Sequence, residues 1–193
     1  MKNLIVLGND KISGAISDQI FRLESCVVYI DRSTNFTRVL KLLKRRVISL
    51  TLLAKMASCE LLRQGRKPDA SLPSIHKNED LIQAIKNHRP DRLILFRAGL
   101  IIKKNVIATG IPILNIHAAT VPDYGGIGSI DRALKNKAYK QFASLHIVTT
   151  RIDEGEVIDT VGYQLNPELT YCKNEETAYN AAQQLLLKTI SIK

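Results

Sequence analysis

The chain has 193 residues, 45% hydrophobic and 24% charged, with a formal net charge of +10, enough apolar surface for one sizeable core and an expected single domain over 1–193. The opening MKNLIVLG runs into Gly8 and the polar pair Asn9-Asp10 too soon for a signal-peptide core or a membrane-spanning helix, so a cytoplasmic protein is expected. Cys26, Cys59 and Cys172 are odd in number and scattered, without a CxxC pair, which argues against both disulfides and structural zinc.

In chain order, LIVLG (4–8) is a short apolar run closed by glycine and reads as a buried strand. Residues 14–23 then space Ala15, Ile16, Ile20, Phe21 and Leu23 along one helix face. VVYI (27–30), β-branched and aromatic, predicts a second buried strand that ends at Asp31-Arg32-Ser33. Pro68, Ser71 and Pro73 make 67–78 a loop, and a helix over 79–87 must stop near Pro90. LILF (93–96), LII (100–102) and IPILNIH (111–117) read as strands, 126–138 as a helix, and SLHIVTT (144–150) alternates as a strand. A closing helix over 175–190 carries Ala178, Ala181, Ala182, Leu185, Leu186 and Ile190 toward the sheet. This alternation predicts an α/β fold: an open, mostly parallel twisted sheet with helices on both faces.

The charge is concentrated. Residues 37–67 hold nine Lys or Arg (Arg38, Lys41, Lys44, Arg45, Arg46, Lys55, Arg63, Arg66, Lys67) against Glu60 alone, which is +8 of the total. Val39, Leu40, Leu42, Leu43, Val47, Ile48 and Leu50 interleave with them at helical spacing. Two readings stay open: a core-facing helix with a solvated basic face, or a surface for anionic headgroups, nucleic acid or a phosphate-bearing substrate.

In open α/β sheets ligands sit beyond the carboxyl ends of strands. ILNIHAATVPDYGG (113–126) follows such a strand, and Asn115 and His117, two apart in extended chain, point to the same face. Further on, RIDEGEVID (151–159) delivers Asp153 in a turn built around Gly155, just past the strand carrying His146. A carboxylate arriving from a separate loop can orient and charge-stabilise an imidazole such as His117. His146, flanked by Leu145 and Ile147 in an alternating strand, reads as structural; His76 and His88 carry no signal.

These motifs resemble the folate-dependent formyltransferase family, which includes glycinamide ribonucleotide transformylase, the catalytic domain of methionyl-tRNA formyltransferase and the sugar N-formyltransferases. The family pattern is Asn-x-His, a Leu-Pro-x-Tyr-Arg-Gly turn, then a His-bearing strand leading to Asp-x-Gly. Here it is Asn115-Ile116-His117, Val121-Pro122-Asp123-Tyr124-Gly125-Gly126, His146 and Asp153-Glu154-Gly155, with PDRLILFRAGLII (90–102) similar to the family's strand and cofactor loop. The resemblance spans roughly residues 90–159.

The resemblance implies a Rossmann-like formyltransferase fold and transfer of a formyl group from 10-formyltetrahydrofolate, as co-substrate, to a primary amine. It implies that Asn115 donates to the oxyanion, that His117 holds that oxygen and moves protons, and that Asp153 sets the His117 tautomer and relays the amine proton. It implies an apolar pterin pocket at Leu100, Ile101 and Ile102, with backbone around Thr150, Arg151 and Ile152 reading the polar edge. Pro122 occupies the family's turn proline, a position open to the cis isomer.

Two departures stand out. Gly125 replaces the family arginine, removing a cation that could brace the turn, and Arg97 stands where relatives carry a small residue. The Gly8-Asn9-Asp10-Lys11-Ile12 stretch differs from the phosphate loop of the purine enzymes, which weakens glycinamide ribonucleotide as acceptor, and tRNA is not expected. The expected acceptor is a small-molecule amine, an amino sugar or a nucleotide-linked amino sugar, expected to bear phosphate; a glycinamide ribonucleotide transformylase, or a basic nucleic-acid or anionic-membrane binding module with a vestigial site, are the alternatives.

Overall fold

A computed structural model describes residues 1–33 and 36–191, with the side chains of 36–38 left out. Arg38 of the basic segment therefore lies outside the described side chains. The elements are β1 (Asn3–Gly8), α1 (Lys11–Phe21), β2 (Cys26–Asp31), α2 (Phe36–Lys44), α3 (Leu50–Leu62), β3 (Ser74–Ile75) and α4 (Asn78–His88). There follow β4 (Arg92–Phe96), α5 (Lys104–Ile107), β5 (Ile113–His117), α6 (Ser129–Lys135), β6 (Lys140–Ile147), β7 (Val157–Gln164) and α7 (Tyr171–Ser191).

The seven strands form one sheet in the order β3-β2-β1-β4-β5-β6-β7. Pairing is parallel up to β5, while β6 runs antiparallel to both β5 and β7. β1 is buried at every position and β4 at all but its first, as strands covered on both faces must be. Alternate residues feed two cores. Ile5, Leu7, Ile94, Phe96 and Ile116 meet α1, α6 and α7 on one face. Leu4, Val6, Leu93, Leu95 and Ile113 meet α4 and Val106 of α5 on the other.

Several expectations are corrected. Residues 100–102 form no strand, because their backbone is satisfied by side chains: the Gly99 and Leu100 N–H groups donate to Asp31 Oδ2 (2.5 and 2.8 Å), and the Ile101 carbonyl accepts from Asn78 Nδ2 (3.0 Å). The helix expected over 126–138 shrinks to α6, since Gly126 and Gly128 take positive φ before it and Lys137 does after it. The loop over 67–78 includes the two-residue β3, and β6 begins four residues before the expected strand. β7, an edge strand of alternating exposure, was not anticipated. A disulfide joins Cys59 to Cys172 across 113 residues, contrary to the cysteine reading. Chain folding brings α3 onto the first turn of α7, a proximity that linear spacing does not carry. The Val121–Pro122 peptide is cis.

Candidate active site

β5 ends at the sheet's carboxyl edge with Asn115 and His117 on one face, while Ile113, Leu114 and Ile116 are buried. Asn115 lies directly opposite His146 of antiparallel β6, and a cross-strand pair at this spacing brings side chains into contact. The β6–β7 register shifts between Leu145 and His146, an irregularity of the kind that re-aims a side chain. Beyond β6, Asp153 sits at φ 54° in a turn that requires glycine at 155: a Cβ there would lie 1.7 Å from the Ile147 carbonyl oxygen.

These elements bring four side chains together. Asp153 Oδ2 accepts the Gly126 N–H at 2.7 Å and lies 3.4 Å from His117 Nδ1. Asp153 Oδ1 accepts from Asn115 Nδ2 at 3.3 Å and lies 3.3 Å from His146 Nε2. Asn115 Nδ2 is also 3.1 Å from His146 Nε2. His146 Nδ1 faces the Ile147 carbonyl and His117 Nε2 faces the Tyr124 carbonyl, at 3.1 and 2.9 Å. Carbonyls only accept, so those two ring nitrogens carry the hydrogens. His146 Nε2 thus stands between the Asn115 amide and the Asp153 carboxylate: without a hydrogen it accepts from the amide, and with one it donates to the carboxylate. The only nitrogen of His117 open to proton exchange is Nδ1, facing Asp153.

Burial alone would raise the Asp153 carboxyl, but the hydrogen bond from His146, the charge of His117 and the Gly126 N–H outweigh it and hold it at about 2. Burial pushes His117 below its ordinary value despite the opposing pull of Asp153 and the Tyr124 carbonyl. At neutral pH this gives an ionised carboxylate beside a neutral, proton-accepting imidazole, the polarity of an acid–histidine proton relay.

The quartet lines a cleft of about 400 Å³. Every residue expected at the pterin pocket, Leu100, Ile101, Ile102, Thr150, Arg151 and Ile152, lines the same cleft, so the structure gathers all the sequence-chosen site residues in one cavity. Val39, Leu42 and Met56 of α2 and α3, and Tyr171, Glu175 and Tyr179 of α7, form its helical lining.

Sequence reasoning placed His146 in the motif but read it as structural, and it missed Arg132. His146, 2% exposed, holds both Asn115 and Asp153; the alternation of β6 gave its face, and only the register gave its partner. Arg132 of α6 donates to the carbonyls of Gly125 and Ile127, the latter at 2.6 Å. It puts a guanidinium on the turn that holds Gly125, where a Cβ would lie 2.9 Å from the Cβ of Asp153. Arg97 serves elsewhere: its Nε pairs with Asp10 Oδ2 at 2.5 Å and its guanidinium stacks 4.2 Å from the Tyr179 ring centre. Burial opposes its charge, but Tyr179, Asp10 and Glu175 keep it above its ordinary value.

The helical lining is held by its own contacts. Arg63 pairs with Glu175 at 2.6 Å, close to the Cys59–Cys172 bridge. At the N-terminus of α1, Asp10 Oδ1 accepts the Ser13 N–H and Glu60 Oε1 accepts the Lys11 N–H, both at 2.9 Å. The chain's own carboxylates thus occupy a position that ordinarily favours a bound anion.

Residues 28–190 match the family model described as Formyl transferase. A methionyl-tRNA formyltransferase of Campylobacter jejuni subsp. jejuni (strain 81-176) is 27% identical over 122 residues, 61% of this chain and 38% of that protein. The chain therefore spans well under half the length of that curated relative. Phosphoribosylglycinamide formyltransferase from Anaplasma phagocytophilum superposes with a TM-score of 0.69 at 16% identity, covering 100% of this chain and 86% of the other. A 4-N formyltransferase from Francisella tularensis superposes with a TM-score of 0.65 at 14% identity, covering 98% and 67%.

Proposed function

The chain belongs to the formyl transferase family, and from that premise we propose that it transfers a formyl group from 10-formyltetrahydrofolate to a primary amine in the cleft beyond β5. The observation that carries this reading is the convergence of Asn115, His117, His146 and Asp153 on the wall that also holds the expected folate-facing residues. The apolar side chains of Leu100, Ile101 and Ile102 suit one face of a pterin, and the backbone from Thr150 to Ile152 suits its polar edge. The co-substrate supplies the carbonyl carbon that the amine attacks.

Asn115 is the donor to the oxygen on that carbon, a contact that requires one amide hydrogen now shared with His146 and Asp153 to turn outward. A preorganised donor is worth about 3 kcal/mol of barrier, and the outward turn of the Asn115 amide subtracts from that figure. His117 takes the amine proton at Nδ1, because its Nε2–H is fixed on the Tyr124 carbonyl. Asp153 stabilises the resulting imidazolium, and the proton would be delivered to the folate nitrogen as its bond to the formyl carbon breaks, so that the formyl group stays on the amine and tetrahydrofolate leaves. His146 is a positioning residue, keeping Asn115 and Asp153 in register.

For the acceptor we favour an amino sugar over glycinamide ribonucleotide. Support comes from the N-terminus of α1, where Asp10 and Glu60 take up N–H groups that a phosphate would need. If the acceptor carries phosphate or a nucleotide, that group is held elsewhere. The test is release of tetrahydrofolate from 10-formyltetrahydrofolate across a panel of free and nucleotide-linked amino sugars and glycinamide ribonucleotide. Saturable turnover with an amino sugar and little with glycinamide ribonucleotide is the expected result. Turnover with glycinamide ribonucleotide alone contradicts the acceptor assignment, and no turnover together with no thermal stabilisation by a folate analogue contradicts the activity.

A further inference from the structure

The basic segment divides into two sets of charges once the partners are known. Lys55 pairs with Asp131, Arg63 with Glu175 and Arg66 with Asp18. Lys41, Lys44, Arg45 and Arg46, at the end of α2 and in the turn toward α3, are all exposed and make no side-chain hydrogen bond or ion pair among the described residues. No acidic residue occurs between Asp31 and Glu60. Around this corner the large apolar side chains Leu40 (56% exposed), Val47 (51%) and Leu50 (73%) also face solvent.

Unneutralised cations interleaved with exposed aliphatic side chains form a surface with two demands. We propose that the α2–α3 corner docks on an anionic lipid surface, with Leu40, Val47 and Leu50 entering the headgroup region and Lys41, Lys44, Arg45 and Arg46 meeting lipid phosphates. A helix with a polar cationic side and low net hydrophobicity binds in this way without spanning, and no helix among the described residues is long and apolar enough to cross a membrane. Nucleic acid would satisfy the cations but leave the aliphatic side chains unused, and residues 37–67 contain no Phe, Tyr, Trp or His to stack on bases. A second copy of the chain would set the same positive patch against itself in a two-fold contact. Val39 and Leu42 of the same helix line the cleft, so docking would place one wall of the proposed active site against the lipid.

The experiment is co-sedimentation of the full chain with vesicles of pure phosphatidylcholine or of phosphatidylcholine with phosphatidylglycerol, at low and high salt. The expected result is pelleting with the anionic vesicles only, reversed by salt. Each basic residue near such a surface contributes about 1 kcal/mol, so the triple variant Lys44→Glu/Arg45→Glu/Arg46→Glu should bind about a hundredfold more weakly. Leu40→Ser/Val47→Ser/Leu50→Ser keeps every charge and should also lose at least tenfold. Circular dichroism and stabilisation by a folate analogue serve to show that both variants remain folded. Equal pelleting with both vesicle types, or undiminished binding by the serine variant, overturns the proposal. So does competition by duplex DNA that the serine changes leave untouched, an outcome that would make the corner a nucleic-acid surface.

Discussion

The strand-and-loop lining of the cleft and its helical lining are stabilised in different ways. The first is fixed by backbone: β5 and β6 put Asn115 opposite His146, and the turn at Gly155 hands Asp153 to both histidines. The second is carried on helices: α7 packs into the core through Ala178, Ala182, Leu185 and Leu186, and side-chain ties join its first turns to their neighbours, namely the Cys59–Cys172 bridge, the Arg63–Glu175 pair and Arg97 held by Asp10 and Tyr179. Strand register can specify reacting groups to a fraction of an ångström. Side chains on the lining helices can alter what the cleft admits without disturbing that register. The comparison teaches that chemistry and selectivity are separable in this molecule, and substitutions on the two linings should have different signatures.

The largest effect is expected on the strand side. Asp153→Asn should lower turnover roughly a thousandfold, within the usual range for a group moving a proton in the transition state; steady-state tetrahydrofolate release would measure it, with circular dichroism unchanged. On the helical side, Cys172→Ser opens a covalent loop of 113 residues. It should cost about 5 kcal/mol of stability by the chain-entropy relation, read as a lower denaturation midpoint. Its surviving folded fraction should bind a folate analogue normally and show a raised KM for the amine. If folate binding is lost as well, the two linings are not separable.

Smaller changes sharpen the same division. Gly125→Ala would place a methyl group 2.9 Å from the Cβ of Asp153. Roughly tenfold slower turnover is expected, since small misplacements of reacting groups cost one to two decades; faster turnover would mean that the site wants a side chain there. Arg132→Leu removes donors to the Gly125 and Ile127 carbonyls. It should cost about 1 kcal/mol of stability and slow turnover several-fold, with KM for the amine little changed.

The pH dependence is the mildest test. His117 lies below its ordinary value, so kcat/KM should stay flat down to about pH 6.5 and fall only below it as the imidazole protonates. Asp153 contributes its stabilisation fully above the unfolded carboxyl value near 3.9, and loses it as pH falls toward about 2. An acid limb centred above pH 6.5 would show that His117 is not held in the neutral form.

What could be read in the sequence follows the same line. The pairing of Asn115 with His117 is a two-residue periodicity, and the arrival of Asp153 is a turn signal, so both were legible before any coordinates. The buried β1 and β4, and the half-buried β2, announced themselves through continuous apolar runs. β7 did not, because its apolar residues Val157, Ile158, Val161 and Tyr163 are interrupted by Asp159, Thr160 and Gly162 and form no continuous run. The role of His146 depends on which residue of β5 it faces, and the contact of Arg132 with the Gly125 and Ile127 carbonyls depends on how α6 leans over the turn. The Cys59–Cys172 bridge likewise joins residues whose only relation is three-dimensional. Local patterns are written in adjacent residues, whereas long-range partners emerge only when the sheet is assembled.

The central claim is that the Asp153–His117–Asn115 cluster moves a formyl group. The most direct measurement is single-turnover transfer of labelled formyl from 10-formyltetrahydrofolate to the best amine acceptor, comparing the unaltered chain with Asp153→Asn while folate binding is monitored in both. Rapid labelling by the first, labelling slowed by about three orders of magnitude in the second, and equal folate binding would uphold the account. Equal labelling rates in the two proteins would contradict it.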